Sequence, residues 1–209
     1  MKPKLLILPG LGDSGENHWQ SYWLRKFENS IKLVQDNWDQ PKREEWLEKL
    51  NEAILKLDGP TILVAHSLAV SMVLHWMSTH TNSNIIGALF VAPADVDSPE
   101  HAPEVIWNFA PIPIIPLDFP SIVVCSENDP YISLERAEYL AQKWGSDFVN
   151  IGQKGHINSE SNLEYWESKI TSPASPTAPR TRHSLQNFPI CFLGKLTTAT
   201  ICRLTKSSF

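Results

Sequence analysis

Apolar and polar positions along this chain follow two periods in turn. Lys4 to Leu8 is a short run in which Leu5, Leu6, Ile7 and Leu8 are all apolar, as in a strand buried on both faces. Glu16 to Asn29 places Trp19, Trp23 and Phe27 four residues apart, which marks one face of a helix. Ile31 to Val34 suits a second strand. Lys42 to Leu57 then sets Trp46, Leu47, Leu50, Ala53, Ile54 and Leu57 on one helical stripe, and Gly59-Pro60 stops it. The next apolar strand, centred on Ile62 to Val64, runs through Ala65-His66 into Ser67, and a helix is expected from Leu68 to His80 with almost no loop between. Ile85 to Val91, ending at Ala92-Pro93, reads as another buried strand. Strands are expected again over Ser121 to Ser126 and Asp147 to Ile151, with helices over Ser133 to Trp144 and Asn162 to Ile170. Strands alternating with helices from residue 4 to 170 predict an α/β fold. Its central sheet should be mostly parallel, with helices on both faces in three layers.

Two segments break the alternation. Asp95 to Pro120 holds six prolines among apolar residues such as Val105, Ile106, Trp107 and Phe109. That density excludes a long helix or a central strand, and a long apolar loop of this kind suits a lid or binding wall. From Thr171 onward there is no Asp or Glu and no tryptophan, while Arg180, Arg182, Lys195, Arg203 and Lys206 are basic. The reading is therefore a domain over 1–170 and an atypical, disordered tail over 171–209.

Charge and composition exclude more than they assign. The net charge is -5, and without the tail the balance is 13 Lys/Arg against 23 Asp/Glu, so neither nucleic acid nor an anionic membrane is an expected partner. No apolar run approaches the roughly 20 residues of a membrane span. The N-terminal apolar run is also short of the roughly 7–15 residues of a secretion signal. Cytoplasmic residence is the expectation. Cys125, Cys191 and Cys202 form no CxxC pair, so neither disulfides nor zinc are indicated, and His75 and His80 lack companions for a metal site.

Chemistry gathers at three strand ends. Ser67, Asp129 and His156 each follow a predicted strand, where open parallel sheets place their sites. A serine hydroxyl needs an imidazole to take its proton, and the imidazole needs a carboxylate to fix its tautomer. The chain order Ser, Asp, His is the one used by α/β-hydrolases. An oxyanion would need two amides, expected from Leu68, just after the serine, and from Leu11 in Pro9-Gly10-Leu11-Gly12-Asp13-Ser14-Gly15. The same loop matches the bare letters of a dinucleotide motif, with Asp36 near the expected acidic position. His18, Trp19 and Trp23 would crowd a pyrophosphate there. Ser67 could also be a plain helix cap, and His66 is expected to point away along the turn. His18 either hydrogen-bonds near the site or packs. Both glycines usual beside such a serine are alanine here, Ala65 and Ala69.

These motifs together resemble the small serine hydrolases of the retinoblastoma-binding protein 9-like family, a minimal α/β-hydrolase group. The resemblance covers roughly residues 4–170. It rests on the Leu8-Pro9-Gly10-Leu11-Gly12-Asp13-Ser14-Gly15 opening with His18-Trp19, Asp39-Gln40-Pro41 with Trp46, Ala65-His66-Ser67-Leu68, Glu127-Asn128-Asp129-Pro130, and Gly155-His156-Ile157-Asn158. It implies Ser67 as nucleophile, His156 as base, Asp129 as the orienting acid, and hydrolysis of carboxylic esters. It names no physiological substrate and no protein partner. Acyl-enzyme chemistry at Ser67 needs no metal or cofactor, and the apolar proline-rich wall suits a small or acyl-bearing ester. The elbow alanines, together with the unusual C-terminal segment, motivate an alternative, a catalytically weak binding module on the same fold.

Overall fold

The computed structural model of the protein describes residues 3–166. Six strands, β1 (Lys4–Leu8), β2 (Ser30–Lys32), β3 (Thr61–His66), β4 (Ile85–Val91), β5 (Ser121–Cys125) and β6 (Asp147–Asn150), form one parallel sheet in the order β2-β1-β3-β4-β5-β6. Helices α1 (Trp19–Lys26), α2 (Arg43–Leu55), α3 (Leu68–Met77) and α4 (Leu134–Trp144) join them. The chain steps from β1 to β2, then reverses across β1 to β3 and continues in that direction to β6. Right-handed crossovers in opposite directions put their helices on opposite faces. Trp19 and Trp23 of α1 accordingly pack on one face, with α2, α3 and α4 on the other.

The uninterrupted apolar runs are two period-2 patterns superposed. Leu5, Ile7, Ile62, Val64, Leu89 and Val91 face α1, while Leu6, Leu8, Leu63, Ala65 and Phe90 face the three-helix side. Connections leave β1 and β3 in opposite directions, so a crevice opens between their C-terminal ends. The glycine-rich loop after β1 and Ser67 after β3 both lie at that crevice.

Several expected elements differ at their edges, and one does not form. α1 starts at Trp19 rather than Glu16, because His18 is extended and its Nδ1 accepts the Gln20 amide at 3.2 Å as a helix cap. α2 and α3 are likewise shorter than expected. The helix expected over Asn162 to Ile170 does not form in its described part, 162–166. Asn162, Glu164 and Trp166 hold φ of 49°, 53° and 57°, a left-handed region that a right-handed helix cannot include. Residues 167–170, the tail over 171–209, Cys191 and Cys202 lie outside the described residues. The proline-rich segment contains only a 3-10 turn, Glu104–Phe109. Arg136 of α4 holds it through Asp97 at 2.6 Å, and the Trp144 indole donates to Pro113 O at 3.1 Å. This segment is a tethered wall.

Candidate active site

Ser67 stands at the turn from β3 into α3 with φ 56° and ψ -124°, a conformation L-residues avoid unless their surroundings impose it. Its amide donates to Val91 O at 3.0 Å, extending the β3–β4 ladder one residue into the turn. Although it occupies the cap position of α3, its hydroxyl caps nothing there. The hydroxyl lies 2.8 Å from His156 Nε2 instead. Ala65 and Ala69 are fully buried and neither has a positive φ, so glycine's conformational freedom is needed at neither place. Room at the elbow comes from across the crevice. A Cβ built on Gly10 would stand 2.8 Å from Ser67 Cβ and 2.9 Å from His66 O.

A Cβ on Gly10 would also stand 3.3 Å from the amide nitrogen of Leu68, one of the two expected oxyanion donors. Leu68 begins α3, and the first amides of a helix have no partner within it. In the loop, Gly12 N–H donates to Trp38 O and Asp13 N–H to Gly10 O, while the Leu11 amide has no protein acceptor among the described residues. Gly10 is pressed on the elbow, and Asp36 pairs with Lys49 at 3.1 Å on the surface.

Asp129 and His156 come from the loops after β5 and β6. The Asp129 side chain is fully buried, and its two oxygens each lie 2.9 Å from His156 Nδ1. Oδ1 also accepts the Tyr131 amide at 2.9 Å. With Nδ1 donating to the carboxylate, Nε2 is left as the acceptor facing Ser67. The two loops are stitched by Asn128, whose Oδ1 accepts from Ser126 Oγ at 2.9 Å and from the Gly155 amide at 2.8 Å, while Ser126 Oγ accepts the Lys154 amide at 2.8 Å. The Tyr131 ring packs on the imidazole of His156 with centroids 4.4 Å apart. Sequence reasoning missed Tyr131 and Ser126. Asn128 stood in a quoted motif without a role.

Two further imidazoles back this row. His66 does not point away as expected: its Nε2–H donates to His156 O at 2.9 Å. Burial holds its pKa well below the ordinary 6.5, so it stays a neutral donor. His18 packs edge-on against His66 with centroids 4.7 Å apart. Its Nδ1 accepts from Gln20, which puts the proton on Nε2, an atom with no partner among the described residues. Burial, and next the nearby His156, lower its pKa to about 4. His75 and His80 serve packing, the first against Phe109 O and the second stacked on Trp76. Cys125 is buried, and desolvation raises its thiol pKa far from reactivity.

Ser67, His66, His18, Leu11, Ile106 and Tyr131 share one cavity of about 410 Å³. Ile106 and Pro103 bring the proline-rich segment into its wall. Among the described residues no group of three or more His, Cys, Asp or Glu could hold a metal ion, and no helix is long and apolar enough to cross a membrane. The arrangement can pass the Ser67 proton to the His156 imidazole beside a half-open cavity lined by polar and apolar groups.

Comparison with known proteins agrees with this geometry at the level of family and fold. No curated protein matches the chain. Among solved structures, a YdeN-like hydrolase of Pectobacterium atrosepticum is 32% identical with a TM-score of 0.71, covering 81% of this chain and 87% of that one. The ydeN gene product of B. subtilis is 20% identical with a TM-score of 0.65, over 78% and 91% of the two chains. An esterase of Exiguobacterium antarcticum, 13% identical with a TM-score of 0.56 over 74% and 85%, shares the fold. The fold is that of the α/β-hydrolases. The family described as serine hydrolase matches residues 5–172, most of the chain, and the protein therefore belongs to the serine hydrolase family.

Proposed function

We propose that the protein is a carboxylic ester hydrolase working through an acyl-enzyme at Ser67. His156 Nε2 takes the hydroxyl proton as Ser67 Oγ attacks the ester carbonyl. Asp129 holds the imidazole in the required tautomer and stabilises its charged form. The amides of Leu68 and Leu11 receive the developing oxyanion. Collapse of the tetrahedral intermediate breaks the bond to the alcohol, which leaves with the proton from His156. Water, deprotonated by the same imidazole, then releases the acid and restores Ser67. Every proton moves between groups already present, so the cycle calls on no metal or cofactor.

The observation that carries this reading is the unbroken row from Ser67 Oγ to His156 Nε2 at 2.8 Å and from Nδ1 to Asp129 at 2.9 Å. The apolar part of the cavity, from Leu11, Ala94, Pro103 and Ile106, suits the acyl half of a small ester. The narrower retinoblastoma-binding protein 9-like resemblance remains with the motifs that carry it. The hydrolase domain is assigned to residues 1–170, with 171–209 as an appendage, and the cytoplasm is its proposed location. The binding-module alternative rested on the elbow alanines and the unusual C-terminal segment. Neither alanine has a positive φ, so the first ground offers it no support, and the second lies outside the described residues.

A fluorophosphonate probe tests the proposal. It should label Ser67, and Ser67→Ala should abolish labelling and lower p-nitrophenyl acetate turnover by on the order of 10³-fold or more. Folded native protein that takes up no probe would refute it.

A further inference from the structure

The turn that carries His156 is strained at one residue. Gly155 and Ile157 both adopt left-handed backbone, with φ of 57° and 50°. Glycine does this freely, whereas a β-branched residue there is an outlier that only its surroundings can maintain. Those surroundings are two side-chain donors from separate elements. His66, the last residue of β3, donates from Nε2 to His156 O at 2.9 Å. Trp19, the first residue of α1, donates from its indole Nε1 to Ile157 O at 2.9 Å. Two successive carbonyls of the strained turn are thus held by side chains from two different elements, whose ring centroids lie 6.2 Å apart.

Both donors are rigid. Trp19 is fully buried, packed edge-on against Trp23 and against Trp166 with centroids 5.1 Å away in each case. His66 is backed by the His18 ring, and it is the residue immediately before Ser67. The link from nucleophile to imidazole therefore runs through one side chain and one hydrogen bond, as well as through the direct Ser67–His156 contact. Two sequence features that the acid–base row leaves unused, the His18-Trp19 pair and the histidine before the serine, acquire one role.

We infer that His66 and Trp19 are positioning residues, a clamp on the carbonyls of His156 and Ile157 that holds the imidazole in line with Ser67. The inference rests on the proposed role of His156 as base. Without the clamp, Ile157 can relax toward ordinary backbone, and the ring on the preceding residue moves with it. Misplacement by about 1 Å at such a site costs on the order of 10²-fold in rate.

The test compares Trp19→Phe, which keeps a ring but loses the N–H, with His66→Leu, which loses the donor, and His66→Gln, which keeps one. Fluorophosphonate labelling rates, ester kinetics and the proton NMR signal of the His156 Nδ1–H shared with Asp129 are read for each. Trp19→Phe and His66→Leu are expected to lower kcat about 10- to 100-fold with KM changed by less than about twofold. The NMR signal should shift or broaden in both, and His66→Gln should recover most of the rate and the signal. Native kcat in Trp19→Phe and His66→Leu, or equal losses in His66→Leu and His66→Gln, would overturn the clamp. The two carbonyls have separate donors, so a variant that fails to fold leaves the other arm decisive. Native protein that is not labelled brings down the underlying hydrolase reading and the clamp with it. Native labelling alongside unimpaired variants brings down the clamp alone.

Discussion

His18 and His66 are held neutral beside the site because burial denies their charged forms water, and this couples folding to pH. Unfolding returns His18 from about 4 to its ordinary 6.5. Between those values the unfolded chain binds more protons than the folded one, so stability falls as the pH drops through that window. For His18 alone the loss from pH 7 to pH 5 is about 2 kcal/mol, and His66 adds to it in the same direction. Calorimetric unfolding at the two pH values should show the loss. His18→Asn, which keeps a cap acceptor for the Gln20 amide but does not titrate, should shrink it; an unchanged slope would mean that His18 is not the source. Ser67, Asp129 and His156 were legible because each follows a strand in a recognisable motif. The contact of His66 was not legible, since its acceptor is a backbone carbonyl 90 positions away.

The elbow and the loop facing it work as one element. Gly10 is fixed by what surrounds it, because a Cβ would meet the backbone oxygen of His66 and the Cβ of Ser67, neither of which can swing aside. Gly10→Ala is expected to cost about 1–3 kcal/mol of stability and to depress ester turnover, measured by chemical denaturation and steady-state kinetics. Ala69→Gly, by contrast, should cost about 0.5–1 kcal/mol through helix α3 while leaving turnover near the native rate. A large gain in rate from Ala65→Gly or Ala69→Gly would show that the alanines impair the elbow. Missing glycines beside the serine drew attention in the sequence, yet the glycine that the turn requires lies in another loop. Helix ends followed the same logic: the periodicity of Trp19, Trp23 and Phe27 marked the buried face of α1, while its start depended on the His18 cap.

For the whole molecule, the serine hydrolase match ends at residue 172, and all the groups of the proposed site lie before that point. A chain ending at Ser172 is therefore expected to keep ester turnover within about twofold of the full chain, as removal of an appendage outside a domain normally allows. Ester chain-length profiles of both forms provide the check, and a collapse of turnover in the shorter form would place residues 173–209 within the hydrolase.

Periodicity in the sequence determined the α/β alternation, the buried character of β1, β3, β4 and β5, and the order in which Ser67, Asp129 and His156 occur. These are local properties: a strand buried on both faces must be apolar throughout, and a residue that follows it must sit at a sheet end. Tertiary structure decided which strands are neighbours and therefore where the crevice opens between β1 and β3. It also decided that Gly10 abuts Ser67 and that Trp19 and His66 reach the turn of His156. Those contacts join segments distant in sequence through single atoms, a backbone oxygen or an indole nitrogen. No pattern of residue types along the chain encodes their meeting.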